Sequence, residues 1–298
     1  MPIPEDKLKT WSHQGAVATA KSTRESIYNA LRSCSALEDV NWDVYLQGSY
    51  GNDTNIYGET DVDIIVQLNS TFRRELGLLT AAEAASYKAA FSPATYHWDD
   101  FRTDVLATLR EYYGALAITE GKHCINVAGK QGRLPADVVV ALQYRSYRRF
   151  KSLADQDYVE GILFYTHPEE REVINYPKQH YDSGVNKMSK SRTNGWFKPT
   201  VRVFKNLRSF MVDQGAISDG LAPSYFLQGL IYNVPDNLFG ASYQQTMVNI
   251  LNFLRKATFN DFVCQNEQLP LFGASHEQWT TSDAKSFVGS AIAVWNDW

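Results

Sequence analysis

Cysteine is scarce in this chain: its 298 residues include only Cys34, Cys124 and Cys264, far apart in sequence. An odd number of isolated cysteines does not build a disulfide framework, and these have no zinc-knuckle spacing. The pattern indicates reduced thiols, as in a cytoplasmic protein. A run long enough to cross a bilayer is also missing, and the N-terminus has no apolar signal-peptide core. We therefore expect a cytoplasmic protein with no membrane partner.

An excess of positive charge is absent as well. The formal net charge is −4, so no global basic field favours a long nucleic acid as a required partner. Internal repeats and Gly-Ser-rich linkers are missing too. The hydrophobic content of 44% and charged content of 21% are typical of an ordinary globular protein. Such a length allows one large or two moderate domains.

What is present is a group of polar residues before a predicted strand. Gly48-Ser49 is followed, twelve residues after Ser49, by Asp61-Val62-Asp63 and an apolar run rich in β-branched residues. On a strand, Asp61 and Asp63 share one face. Adjacent carboxylates repel each other, whereas a hard divalent cation takes carboxylate oxygens as ligands. Asp-x-Asp pairs often lie on a solvated edge, and Gly-Ser often marks a loop. The combination nevertheless favours a metal site beside a phosphate cradle, in which Gly48 permits close backbone approach and Ser49 offers donors.

A second buried strand is predicted from the apolar run that Asp137 opens. An acid at the start of a strand often simply faces solvent. Beside Asp61 and Asp63, however, a third carboxylate is what a two-metal centre requires. Farther along, the prolines and aromatics of residues 161–177 predict a loop.

The remaining segments are predicted to be mainly helical. A helix over residues 5–33 is expected to break among residues 16–22, and the clearest amphipathic helix covers 198–213. Its Arg202, Lys205 and Arg208 form a basic stripe, which is either solvated or opposite a triphosphate. Another helix begins near Pro223, where Ser224 either caps the helix or contacts phosphate and Tyr225 either packs or stacks on a base.

The Gly48-Ser49 and Asp61-Val62-Asp63 motif resembles that of the polymerase-β-like nucleotidyltransferases. With Thr54 and Ile56 included, it resembles the bacterial cGAS/DncV-like synthases (CD-NTases) of CBASS anti-phage signalling. The resemblance implies an α/β (α+β) bilobal fold, with a small mixed sheet that carries the acids. An N-terminal helix and nucleotidyltransferase core would occupy residues 1–165, and a helical substrate-binding lobe 166–298.

The resemblance also implies an activity, namely condensation of NTPs into a cyclic di- or trinucleotide second messenger with release of pyrophosphate. Mg²⁺, or Mn²⁺ in its place, would be held by the catalytic acids Asp61, Asp63 and Asp137. Nucleotide-binding positions implied by the match are Gly48, Ser49, Lys205 (the triphosphate lysine), Ser224 (phosphate) and Tyr225 (base stacking). Gln228 departs from the pattern, because many relatives are acidic there.

Expected partners are NTP substrates and CBASS accessory or effector proteins, and a monomer is expected. Three alternatives remain: a linear oligonucleotide synthase or tRNA-end enzyme, a nucleotidyltransferase that modifies an antibiotic, and a non-catalytic nucleotide-binding module. The negative net charge argues against a bulky RNA substrate, and the three acids argue against a non-catalytic module. The bases, which could include a pyrimidine, and the 3′-5′ or 2′-5′ linkage stay open.

Overall fold

A computed structural model describes residues 2–275 and 277–298 and contains a mixed sheet of seven strands. The strand order is β1-β2-β5-β4-β3, and β6 pairs with β5 and then with β7. Strands β2 and β5 are parallel, whereas the other pairs are antiparallel. The strands are β1 (Trp42–Leu46), β2 (Val62–Glu75), β3 (Ile118–Glu120), β4 (Ile125–Val127), β5 (Ala136–Ser152), β6 (Asp155–Tyr165) and β7 (Glu172–Asn175).

The two parallel strands separate apolar from acidic residues by simple alternation. In β2, Val62, Ile64 and Val66 are fully buried and belong to one apolar cluster with residues of two helices. Those helices are α2 (Ala18–Arg32) and α5 (Trp98–Tyr113). Because successive side chains of a strand point to opposite faces, Asp63 lies on the face away from these helices. The helices cover one face of the sheet, and the acids lie on the other.

The other helices vary in length from one turn to more than four. They are α1 (Glu5–Ser12), α3 (Gly48–Gly51), α4 (Ala81–Ala90), α6 (Pro177–Met188), α7 (Phe197–Asp213), α8 (Ser224–Tyr232), α9 (Tyr243–Lys256) and α10 (Thr281–Asn296). In the part of the chain that the structure describes, no helix is both long and apolar enough to cross a membrane. The mixed sheet and helices confirm the predicted α/β class.

The described residues form two compact units that are discontinuous in sequence. A helical unit contains Met1–Gly15, Asn52–Glu59 and Gln179–Trp298, and a sheet unit contains Ala16–Gly51 and Thr60–Lys178. This partition differs from the expected contiguous segments 1–165 and 166–298. The N-terminal helix α1 belongs to the helical unit because its Leu8 and Trp11 pack in the apolar core of α7 to α10.

Two local predictions were wrong in detail. The break in the first helix lies at residues 13–17 instead of 16–22, where the backbone N–H of Gly15 donates to the Asn55 carbonyl at 3.1 Å. About half of the predicted loop over 161–177 is strand, because β6 continues to Tyr165 and β7 (Glu172–Asn175) pairs with it. Strand pairing outweighs the local turn signals there.

Candidate active site

Asp63 and Asp137 lie side by side at the beginning of the two parallel strands. They are partners in the β2–β5 register, so their side chains emerge on the same face of the sheet. Asp61 immediately precedes β2 and is two residues from Asp63. Asp61 and Asp63 are exposed, and Asp137 is half-buried. The sheet unit thus collects three carboxylates at one end of neighbouring strands.

The Cys124 thiol lies beside the carboxylates at this end of the sheet. Its pKa is raised to about 12, first by burial and then by the Asp137 carboxylate, with a smaller contribution from Asp63. A thiol that stays protonated beside carboxylates adds no charge of its own. Any cation that approaches here therefore meets the field of the acids.

The turn at Gly48 holds Asp63 from the other side. Gly48 has a φ of +60°, and a Cβ built on it would lie 2.0 Å from Oδ2 of Asp63. The preceding Gln47 N–H donates to the Asp63 carbonyl at 2.9 Å. Only glycine fits both the dihedral angle and the contact. Ser49 follows in the short helix α3. The structure therefore places the Gly48-Ser49 turn directly against the second acid of the motif.

The carboxylate oxygens at this end of the two strands suit a hard divalent cation. Carboxylate oxygens are the ligands that Mg²⁺ and Mn²⁺ prefer. Asp61 accepts a hydrogen bond from the Thr60 hydroxyl at 2.8 Å, and as an exposed side chain it can rotate toward the other acids. Among residues 2–275 and 277–298, no group of three His, Cys, Asp or Glu is already gathered in metal-binding geometry. The residues fit the ion because their oxygen atoms are suitable ligands and because Asp63 and Asp137 are register partners. Their side chains would reorient to bind it.

The basic residues of α7 are placed differently within the helical unit. Lys205 is buried, donates to the Thr54 carbonyl at 3.1 Å and forms an ion pair with Glu59. Arg202, also buried, donates to the carbonyls of Ser12 and Asp53, both at 2.6 Å. A solvated stripe is therefore wrong for these two residues. They hold residues 52–59, the segment between the Gly-Ser turn and the acids.

Ser224 and Tyr225 open α8. Ser224 is exposed and, as the first helical residue, makes no side-chain cap, so the capping alternative is wrong. The Tyr225 ring stacks on His180 with centroids 5.4 Å apart, and burial raises the pKa of its hydroxyl. That hydroxyl accepts a hydrogen bond from Asn266 Nδ2 at 3.2 Å. Tyr225 therefore packs as the structural alternative requires.

Gln228, the departure from the family pattern, is buried in a chain of polar contacts. Its Oε1 accepts from the Thr54 hydroxyl at 3.2 Å, and its Nε2 donates to Gln265 Oε1 at 2.9 Å. A carboxylate could not make the second bond, because it has no N–H to donate. The amide thus matches Gln265 at this position.

Three residues of these surroundings were missed from the sequence. Asn126 contacts Asp137, Glu59 pairs with Lys205, and His180 stacks on Tyr225. Only Asn126 carried a local signal, as a polar residue between the apolar Ile125 and Val127. The other two depend on contacts between distant segments.

Two comparisons of sequence identify relatives. The family model of the cGAS/DncV-like nucleotidyltransferase C-terminal helical domain matches residues 183–296. A cyclic UMP-AMP synthase from Rhodothermus marinus is 45% identical over 303 residues, covering 100% of this chain and 99% of the relative. Cyclic nucleotide synthase CdnE01 from Staphylococcus haemolyticus is 41% identical over 304 residues, covering 100% of both. These similarities extend over the acids as well as the helical region.

A solved structure shows the same fold along the whole chain. The Rhodothermus marinus CdnE c-UMP-AMP synthase with Apcpp and Upnpp matches with a TM-score of 0.88 at 45% identity. The match covers 100% of this chain and 98% of that one. The predicted nucleotidyltransferase fold is confirmed by this likeness.

Proposed function

This chain belongs to the cGAS/DncV-like nucleotidyltransferases, and we propose that it condenses NTPs into a cyclic dinucleotide with release of pyrophosphate. The observation that carries the proposal is the in-register pairing of Asp63 and Asp137, with Gly48 packed against Asp63. The relatives from Rhodothermus marinus and Staphylococcus haemolyticus, both named as cyclic nucleotide synthases, support it along the full length of the chain.

We assign the acids to Mg²⁺, with Mn²⁺ as a substitute. Asp61, Asp63 and Asp137 would hold the ion, which when bound activates the acceptor hydroxyl and neutralises the leaving group. Gly48 leaves room for the Asp63 carboxylate, and Ser49 would offer its hydroxyl and N–H to the phosphate. These groups orient the triphosphate, so that the acceptor oxygen and the leaving group are brought into line.

We also propose nucleotide contacts for residues of the helical unit, taken by itself. Ser224 is exposed and offers its hydroxyl to phosphate, while Tyr225 offers a ring face opposite His180 to a base. Lys205 is assigned to the triphosphate by its family position. Since its ammonium group pairs with Glu59, that carboxylate and the triphosphate would compete for one positive charge.

A cyclic product requires two transfers through the same acids. The first leaves a linear dinucleotide that still carries a triphosphate, and the second closes the ring. Stacking tolerates different bases because every base has a π-face. We propose ATP and UTP as the first pair to test, because the similar Rhodothermus marinus protein is named for a UMP-AMP product.

The deciding experiment incubates the chain with Mg²⁺ and each pair of NTPs, then adds phosphatase and weighs the products. A phosphatase-resistant species with no terminal phosphate is expected, and Asp63→Asn should not form it. A ladder of phosphatase-sensitive linear oligomers would instead support a linear synthase. Product only in the presence of an antibiotic acceptor would support the small-molecule alternative. Nucleotide binding without any product would indicate a binding module.

The wider setting follows from the family and remains our proposal. It includes a cytoplasmic monomer in CBASS anti-phage signalling, with accessory or effector proteins as partners. Duplex DNA should not be required, since the net charge of −4 gives no general attraction to a phosphate backbone. Activity that depends strictly on added duplex DNA would contradict this.

A further inference from the structure

The short strand β4 places an amide beside the third acid. Asn126 pairs with Asp137 in the antiparallel β4–β5 register, which puts the two side chains on the same face of the sheet. Its Nδ2 lies 2.6 Å from Oδ1 of Asp137. An ionised carboxylate can only accept, so the amide nitrogen must be the atom that faces it. The short distance is typical of a hydrogen bond to a charged group.

The turn before β4 is shaped around this amide. Gly121 N–H donates to the Cys124 carbonyl at 2.9 Å, and a Cβ on Gly121 would lie 2.8 Å from Oδ1 of Asn126. The amide nitrogen also lies 3.4 Å from the Cys124 sulfur. The Asn126 side chain is thus confined between the turn and Asp137, so that its orientation is set before any ligand arrives.

We infer that Asn126 is a positioning residue for the metal site, an inference that rests on the proposed function. By holding Oδ1 of Asp137, it fixes the carboxylate rotamer and leaves Oδ2 for a divalent cation. Residues that hydrogen-bond to a metal ligand fix the ligand's orientation, and their loss typically costs about 10- to 100-fold in metal affinity or activity. Asp61, by comparison, accepts a hydrogen bond from the neighbouring Thr60 hydroxyl, and it is exposed.

The test measures Mn²⁺ binding by electron paramagnetic resonance on the full chain, with Mn²⁺ as the only ligand. Asn126→Leu keeps the size of the side chain but removes the donor. It should raise the Mn²⁺ Kd by about 10- to 100-fold. The Mg²⁺ concentration for half-maximal activity should rise in parallel, with a smaller change in kcat at saturating Mg²⁺. Thr119→Ala, the β3 partner of Asn126 and an exposed residue, is the matched control and should bind Mn²⁺ like the parent.

Two further variants separate the possible failures. If Asp137→Asn weakens Mn²⁺ binding but Asn126→Leu does not, Asn126 has a structural role alone and the inference is overturned. If Asp137→Asn itself leaves the Kd unchanged, the proposed metal site fails and takes this inference with it. Should Asn126→Leu not fold, Gly121→Ala decides. It keeps the amide but pushes on its oxygen, and a Kd equal to that of the parent would also overturn the inference.

Discussion

The acids of the sheet unit and the basic residues of α7 show two opposite ways to place charge. Asp63 and Asp137 are register partners, and Asp61 lies two residues before Asp63, so three acidic residues occupy one end of the two parallel strands. Lys205, by contrast, is buried against a carboxylate and a carbonyl. Like charges held together are unfavourable unless a ligand compensates for them, whereas a buried cation needs its partner for stability. The acids therefore indicate function, and the α7 residues indicate structural anchoring.

The sharpest test of this contrast is Asp63→Asn, which keeps the shape but removes the charge that a cation requires. Product formation should fall on the order of 10³-fold, the equivalent of about 4 kcal/mol. The free energy of unfolding should stay equal or rise slightly, since repulsion with Asp137 is relieved. Asp157→Asn, an exposed carboxylate in the same unit, should leave activity unchanged. Near-parental pyrophosphate release by Asp63→Asn would place the metal site elsewhere.

The anchoring side of the contrast is tested by Glu59→Gln. It leaves the Lys205 side chain, which is 3% exposed, without its charged partner. Unfolding in urea should show a loss of about 3 kcal/mol. Lys205→Met should cost less, because the Glu59 side chain is 24% exposed and can be hydrated.

Lys9→Met removes an exposed pair with Asp6 in the same unit and is the control, with an expected loss below about 1 kcal/mol. A direct triphosphate role for Lys205 predicts in addition that Lys205→Met raises the KM for NTP. Parental stability in Glu59→Gln would show that the pair contributes nothing to folding.

Some features of the acidic site and of α7 could be predicted from the sequence, and others could not. The positions of Asp63 and Asp137 on buried strands followed from local apolar runs, because strand period and burial are short-range signals. Their register did not, since it joins segments with two helices between them. The amphipathic helix predicted over 198–213 is likewise present as α7, with Val201, Phe204 and Leu207 buried and Phe210, the fourth residue of the apolar stripe, half-buried.

What the sequence could not reveal was that the polar face of α7 is buried too. The carbonyl that Lys205 binds belongs to Thr54, 151 residues earlier in the chain. No periodicity encodes such a partner. A basic helical stripe normally indicates solvent, and only the tertiary contacts of residues 52–59 reverse that interpretation.

A smaller effect is expected from substitution in the turn at Gly48, which packs against Asp63. Gly48→Ala and Gly132→Ala both place a side chain at positive φ, +60° and +83°. Only at Gly48 would the new Cβ meet an atom, Oδ2 of Asp63. Both variants should lose about 1 kcal/mol of stability from backbone strain. Gly48→Ala alone should also lose activity. Equal activities in the two variants would show that the contact between Gly48 and Asp63 is not needed for activity.

The effect that is smallest at neutral pH concerns the buried His180. Burial and nearby Lys198 lower its pKa to about 4. Below its ordinary value of 6.5, the unfolded chain binds a proton that the folded chain does not. Stability should therefore fall as the pH drops from 6.5 to about 4, by at most about 1.4 kcal/mol per pH unit. His180→Phe, which keeps a ring against Tyr225, should flatten this part of the profile.

The measurement is the free energy of unfolding in urea at several pH values, taken as the difference between parent and variant so that other titrating groups cancel. His13→Phe, at an exposed position, should retain the pH dependence of the parent. A difference curve for His180→Phe that is flat between pH 6.5 and pH 4 would show that His180 is protonated in the folded chain. Its ring would then carry a positive charge near Lys198, whose ammonium group pairs with Asp53 at 2.9 Å.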